Sequence, residues 1–168
     1  YKRPFLIYFE PVMNKIIFTL GLFFIVVVSF AQDPDAAQLQ ETGKQFMRSG
    51  DWANAVLVLN RALQKEPGSS SIQKDLALTY YYQRDFAKAK EMVKPLVERE
   101  DADVQSYQIA GNIYKALQES KDCERMYRKA IKKYPASGAL YAEFGELLWM
   151  MNENFECIEQ WELGIKSD

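Results

Sequence analysis

From residue 36 onward, apolar residues recur at spacings of three and four in stretches of about 14 residues, separated by short polar segments. Apolar positions at i, i+3, i+4 and i+7 are typical of an amphipathic helix that buries one face. An earlier run from residue 16 to residue 31 is apolar, carries no charge and lies outside this pattern. The pattern therefore predicts an all-helical chain after residue 35.

The helical pattern repeats with a constant period and without an insertion. Gly50-Asp51-Trp52 recurs as Arg84-Asp85-Phe86, and one register also aligns three further sets of residues: Ala55, Ala89, Cys123 and Cys157; Gly43, Ala77, Gly111 and Gly145; Phe46, Tyr80, Tyr114 and Leu148. A fixed period of about 34 residues is typical of repeat proteins, in which each unit buries its apolar face against its neighbours.

This period, with these residue types, resembles the tetratricopeptide repeat family. The first repeat matches the family's signature through Leu39, Gly43, Phe46, Ala55, Leu59, Ala62 and Pro67. The second departs from it at Gln73, Leu96 and Asp101, and the third at Ser120. The resemblance implies an all-α superhelix of about four helix-turn-helix repeats, at 36–69, 70–103, 104–137 and 138–168, the last of them truncated. It also implies that the first helices of the repeats line a concave groove.

Several residues have a predictable role in the packing of the helices. Small residues such as Gly111 are expected where the two helices of a repeat cross closely, because a large side chain would not fit between them. Asp35 is expected to cap the first helix. Pro95 lies inside a predicted helix and should remove the hydrogen bond to the Glu91 carbonyl and kink that helix. The kink is either a functional bend or, as we favour, a tolerated irregularity on the convex side.

The segment 1–31 is predicted to be separate from the array. Met13 and Lys15 precede the apolar run, and Ser29-Phe30-Ala31 ends it, which is the pattern of a secretory signal peptide at 13–31. The alternative is an uncleaved membrane anchor, although the run is shorter than the roughly 20 residues of a membrane span. Residues 1–12 are interpreted as an upstream extension and 32–35 as a short linker. We therefore expect export to the periplasm or the exterior of a bacterial cell, with no stable membrane span after cleavage.

Composition disfavours several functions. The chain has no histidine, which removes the commonest general base and a common metal ligand, so we expect no enzyme activity, no metal and no cofactor. Cleavage after Ala31 would remove Lys2, Arg3, Lys15 and Glu10, so that 18 Lys and Arg stand against 22 Asp and Glu, a net charge of −4. An acidic body argues against nucleic-acid binding, which needs a basic surface.

The two cysteines occupy the same position in consecutive repeats. Equivalent atoms of stacked helices lie about 8–10 Å apart, whereas a disulfide needs Cα atoms within about 7 Å. We therefore expect Cys123 and Cys157 to be free, buried thiols rather than a disulfide between repeats.

The resemblance implies a protein or peptide partner in the concave groove. The groove positions predicted to bind it are Lys44, Lys74, Tyr81, Gln108, Asn112, Lys115, Glu146 and Trp149. Tyr81 and Trp149 are the expected anchors, and the lysines and Asn112 are expected to orient the ligand. The favoured function is an exported adaptor. The alternative is an N-terminal sensor or assembly region of a larger membrane-tethered signalling or secretion component.

The fourth repeat ends without a polar cap, which repeat arrays need at their termini. The expectation is a fragment of a longer protein or a homo-oligomer that forms through this last repeat. Ile158, Trp161 and Ile165 are the residues that such contacts would use.

Overall fold

A computed structural model describes residues 33–167, and the chain divides into two units, 1–34 and 35–168, of which the second is described below. The predictions of an upstream extension, a signal peptide or an anchor fall on residues 1–31 and lie outside the described residues. The described part contains eight helices and no strand. The helices are α1 (Ala36–Arg48), α2 (Trp52–Lys65), α3 (Ser70–Tyr82), α4 (Phe86–Glu98), α5 (Val104–Ala116), α6 (Ser120–Lys133), α7 (Gly138–Met150) and α8 (Asn154–Ser167).

The helices form four hairpins, and their first helices, α1, α3, α5 and α7, begin at positions 36, 70, 104 and 138, in step with the sequence period. Each helix packs against the next along the chain, and each first helix also contacts the following first helix. Successive second helices have at most marginal contact, so the first helices line the inner side of the array. The prediction of an all-α tetratricopeptide-type solenoid is confirmed. No helix among the described residues is long and apolar enough to cross a membrane.

The turn inside each hairpin has the same geometry. One residue of each turn adopts a positive φ of 59–74°, namely Gly50, Arg84, Gln118 and Asn152. The next amide then donates to a carbonyl of the last helical turn, as from Asp51 to Phe46 at 2.9 Å. Such a left-handed residue closes the helix and reverses the chain.

The ends of the helices follow local chemistry. Asp35 caps α1 as predicted, because its side chain accepts from the Gln38 amide while the Gln38 side chain accepts from the Asp35 amide. α4 includes Pro95, which is exposed, and continues to Glu98.

The glycines predicted at helix crossings lie where a side chain would not fit. A Cβ atom at Gly43 would lie 2.6 Å from the Leu59 side chain, and one at Gly111 would lie 1.8 Å from the Tyr127 hydroxyl oxygen. A Cβ at Gly145 would lie 2.3 Å from Nε1 of Trp161. The close crossing of the two helices in these repeats therefore depends on glycine.

Candidate partner-binding surface

The first helices α1, α3, α5 and α7 present a continuous surface, which we call the first-helix face. The core clusters cover each of these helices where it meets its hairpin partner, and from α3 onward also where it meets the preceding repeat. The remaining side carries the polar and aromatic residues that the sequence predicts to bind a partner.

Between α1 and α3, polar side chains connect the two helices. The Gln40 side-chain amide donates to Oδ2 of Asp75 at 2.6 Å and to the Ser71 hydroxyl at 2.7 Å. Lys44 lies 3.7 Å from the same Asp75 oxygen, at the outer limit of an ion pair. Lys44 is therefore loosely held and remains accessible at this end of the face.

Between α3 and the start of α5, Lys74 makes a tighter connection. Its ammonium group donates to Asp103 at 2.7 Å and to Gln105 at 2.9 Å. Partial burial alone would raise the pKa of the Asp103 carboxyl, but the hydrogen bonds from Lys74 and Ser106 outweigh burial and lower this pKa to about 2. The Lys74 side chain is only 14% exposed, whereas that of Asp103 is 53% exposed.

Between α5 and α7, the same arrangement recurs. Lys115 donates to Glu146 at 2.5 Å, with the lysine side chain 13% exposed and the glutamate side chain 58% exposed. Gln108 donates to Glu143 at 2.8 Å, and the Tyr127 hydroxyl donates to the other oxygen of Glu143 at 3.0 Å. In both pairs the lysine, Lys74 or Lys115, is largely covered, and the carboxylate of its acidic partner is exposed to solvent.

This ladder of pairs was not part of the sequence prediction, although a signal for it exists. Lys44 and Asp75, Lys74 and Gln105, and Lys115 and Glu146 are each separated by 31 residues. In a repeat of this length, that spacing places two side chains opposite each other on neighbouring first helices. Asn112 is different, because it is exposed and its side chain makes no hydrogen bond to another residue within 33–167.

The aromatic residues form two groups. At the end of α3, Tyr82 stacks on Trp52 with ring centroids 5.0 Å apart, and Tyr81 contacts both Tyr82 and Phe86 at 5.6 Å. Tyr81 is half-buried in this group, while Tyr82 is exposed. Trp52 and Phe86 were recognised in the sequence only as markers of the repeat, not as part of a binding surface.

The second aromatic group lies at the end of α7. Trp149 and Met150 are both largely exposed, and the Trp149 ring lies 6.4 Å from that of Trp161 on α8. Exposed tryptophan beside exposed carboxylate gives a surface that can bury an apolar group and pair with a cation.

Among the described residues, no group of histidine, cysteine, aspartate and glutamate side chains is placed to hold a metal ion. Both cysteines are buried, and burial raises the pKa of the Cys123 thiol to about 12. A thiol with such a pKa is a poor nucleophile at neutral pH.

Comparisons with known proteins agree with this architecture. Family models described as tetratricopeptide repeat match residues 46–113 and 105–137. No curated protein sequence matches the chain.

Solved structures share the fold at low identity. A thermophilic tetratricopeptide protein of Thermus thermophilus is 18% identical, with a TM-score of 0.67 over 79% of this chain and 74% of its own. A MamA crystal structure is 15% identical, with a TM-score of 0.71 over 86% of this chain and 84% of its own. MamA from Desulfovibrio magneticus, residue 41 to the end, is 16% identical, with a TM-score of 0.69 over 79% of this chain and 75% of its own.

Proposed function

We propose that this chain, which is built from tetratricopeptide repeats, is a scaffold that holds an extended, basic segment of a protein partner on its first-helix face. Stacked helical repeats create long concave surfaces suited to extended ligands. The observation that carries the proposal is the orientation of the ion pairs, in which the lysines are covered and the carboxylates of Asp103 and Glu146 are exposed.

The charges set the orientation and the sign of the partner. Each pair is neutral as a whole, but its negative end faces solvent. A lysine or arginine of the partner is therefore attracted to the exposed carboxylate, whereas an acidic residue is repelled. Exposed charge pairs contribute only about 0–1 kcal/mol each. They therefore select and orient a ligand more than they hold it.

Affinity is expected to come from the aromatic residues. Trp149 is exposed on the same helix as Glu146, and Tyr81 and Tyr82 lie at the corresponding end of α3. Asn112, Gln108 and Lys44 lie along the face and can bond the partner's backbone. Lys74 and Lys115 act by holding their carboxylate partners in place.

Selection of random displayed peptides on the full chain tests this proposal. Enriched peptides should combine basic residues with an aromatic or aliphatic residue. Trp149→Ala should weaken the best peptide about 30-fold, which corresponds to about 2 kcal/mol for a hot-spot residue. Enrichment of acidic peptides, or full binding by Trp149→Ala, would contradict the proposal.

Two adjacent tyrosines supply a matched control. Tyr80 packs against both hydrophobic clusters of the core, whereas Tyr81 contacts one cluster and the aromatic group at the surface. Tyr81→Ala should therefore reduce peptide binding more than it reduces the melting temperature, and Tyr80→Ala should do the reverse. If the two variants lost the same affinity and the same stability, Tyr81 would not belong to the binding site.

We also infer export from the residues before the array. Lys15, the uncharged run after it and Ser29-Phe30-Ala31 together support cleavage after Ala31. N-terminal sequencing of the native protein should begin at Gln32. Retention of residues 13–31 would favour an anchored protein instead.

A further inference from the structure

A gap lies between the second helices of the two middle repeats. Successive second helices have at most marginal contact, so α4 and α6 leave a cavity of about 440 Å³ open between residues 90–98 and 122–129. Tyr114, in the last turn of α5, also lines this cavity, which we call the outer cavity. It lies on the second-helix side of the array, and its volume is within the range of about 300–1,000 Å³ for ligand sites.

Basic side chains outnumber acidic ones around the outer cavity. Four of them line it: Lys90, Lys94, Arg125 and Lys129. Lys90 forms an ion pair with Glu119. Arg125 forms an ion pair with Asp122, which also lines the cavity. The charges of Lys90 and Arg125 are therefore neutralised by neighbouring carboxylates.

The other two lysines have no such partner. Within residues 33–167, Lys94 and Lys129 pair with no carboxylate, and the Lys94 side chain makes no hydrogen bond to another residue. The Lys129 ammonium donates to the Val97 carbonyl at 3.2 Å, which occupies one of its three N–H bonds. Glu98 is the remaining acidic residue of the lining. The cavity therefore has an excess of positive charge and several N–H donors that can bond to a ligand.

The Tyr114 side chain adds a further donor. Tyr114 is only 7% exposed, and its hydroxyl makes no hydrogen bond to another described residue. Burial raises the pKa of this phenol, so the hydroxyl is protonated at neutral pH and can donate. Because buried polar groups are normally hydrogen-bonded, a buried hydroxyl without a protein partner beside a cavity indicates a ligand or water in that cavity.

We propose that the outer cavity binds a phosphate monoester, whose oxygens accept from the ammonium groups of Lys94 and Lys129 and from the Tyr114 hydroxyl. A phosphate monoester carries nearly two negative charges at neutral pH and has three strong acceptor oxygens. It therefore matches two unpaired cations and a phenol better than a carboxylate, which has one charge and two oxygens. Val97 and Met126 lie in the same lining and can contact the apolar part of the ester.

A nucleic acid fits this cavity less well than a single phosphate group. Glu98 and Asp122 lie in the lining between and beside the cations, where they would repel a continuous row of phosphates. The chain is also acidic as a whole, with a net charge of −2, whereas nucleic-acid binding needs a broad basic surface.

A titration of the isotope-labelled full chain with phenyl phosphate, followed by amide NMR spectra, tests the proposal. The largest shifts should fall on the amides of residues 90–98, 114 and 122–129. Benzoate and benzyl alcohol should bind more weakly, because the first has a single charge and the second has none. Benzoate binding as tightly as phenyl phosphate would overturn the assignment to phosphate.

Three variants separate a defined site from general attraction to basic residues. Lys94→Gln removes a charge that holds no other part of the fold, and it should weaken phenyl phosphate binding about tenfold, as expected for a charged hydrogen bond. Tyr114→Phe keeps the ring and should weaken binding about fivefold. Lys121→Gln is the matched control, because Lys121 is exposed on α6 but does not line the cavity, and binding should be unchanged. Equal weakening by Lys94→Gln and Lys121→Gln would overturn the proposal.

A second arm identifies the source of the phosphate group. Flotation with phosphatidylcholine vesicles that contain phosphatidic acid tests a lipid headgroup, with pure phosphatidylcholine vesicles as the control. Flotation that phenyl phosphate inhibits and that Lys94→Gln abolishes would assign the cavity to a lipid headgroup, whereas phenyl phosphate binding without flotation would assign it to a soluble ester. Binding in neither arm would overturn the proposal. The basic-peptide site is independent of this result, since it is judged by Trp149→Ala on the first-helix face.

Discussion

The helix crossing at Gly111 is so close that a single methyl group there should destabilise the fold. A Cβ atom there would lie 1.8 Å from the Tyr127 hydroxyl oxygen and 2.5 Å from Cζ of the same ring. Tyr127 cannot move aside, because it is completely buried, packs against Phe144 and donates to Glu143 at 3.0 Å. Burial raises the pKa of this phenol, so the hydroxyl stays protonated at neutral pH and can donate to Glu143.

The expected magnitude follows from two opposing effects. Over-packing a well-packed core destabilises the fold by up to about 3 kcal/mol, whereas replacing glycine by alanine inside a helix stabilises it by about 1 kcal/mol. Gly111→Ala should therefore lower the free energy of unfolding by about 2 kcal/mol and the melting temperature by roughly 7 °C. Thermal and urea unfolding followed by circular dichroism would measure both.

Gly145→Ala is the matched control for this prediction. Its Cβ would lie 2.3 Å from Nε1 of Trp161, a contact almost as close, but Trp161 is 38% exposed and is held by one hydrogen bond, to the Ala142 carbonyl, so it can shift more readily than the buried Tyr127. Gly145→Ala should thus change stability much less than Gly111→Ala. If Gly111→Ala were as stable as the wild type, or if both variants lost equal stability, the argument from a fixed Tyr127 would be wrong.

Three further predictions concern pH, the turns and the thiols. Because the pKa of Asp103 is lowered to about 2 from 3.8, its contribution to stability is complete above about pH 4 and is lost as the pH falls towards 2. Asp103→Asn should therefore reduce the change in the free energy of unfolding between pH 4 and pH 2, and a change equal to that of the wild type would contradict this. Gln118→Gly should raise stability by up to about 1 kcal/mol, because φ is 59° there, while Gly50→Ala should lower it in the same urea titration; the opposite signs would refute the assigned turn. Cys123 and Cys157 should both react as free thiols in unfolded, non-reduced monomer, and detection of none would indicate a disulfide.

Much of the fold could be predicted because the repeat period is visible at positions where steric requirements allow only certain residue types. Glycine at a crossing such as Gly111 and an acidic cap such as Asp35 are local requirements that a sequence shows directly.

The candidate site was predicted less completely, since it depends on side-chain geometry between helices. The sequence identifies Lys74 and Lys115 as groove residues, but not that each lies beneath an exposed carboxylate. Which member of a pair is covered depends on side-chain length and on the axis separation of neighbouring first helices. The contact of Tyr82 with Trp52 also joins different repeats, so spacing within one helix does not reveal it.

The most direct test of the basic-peptide proposal is to exchange the two charges of one pair, as Lys115→Glu combined with Glu146→Lys. Opposite charges remain together, so the variant should fold, but the exposed group becomes an ammonium. Titration calorimetry with a selected basic peptide, and with the same peptide carrying glutamate for lysine, would compare the two proteins. The variant should lose about fivefold in affinity for the basic peptide, equivalent to about 1 kcal/mol, and should gain a similar factor for the acidic one. An unchanged preference in a folded variant would contradict the basic-peptide proposal.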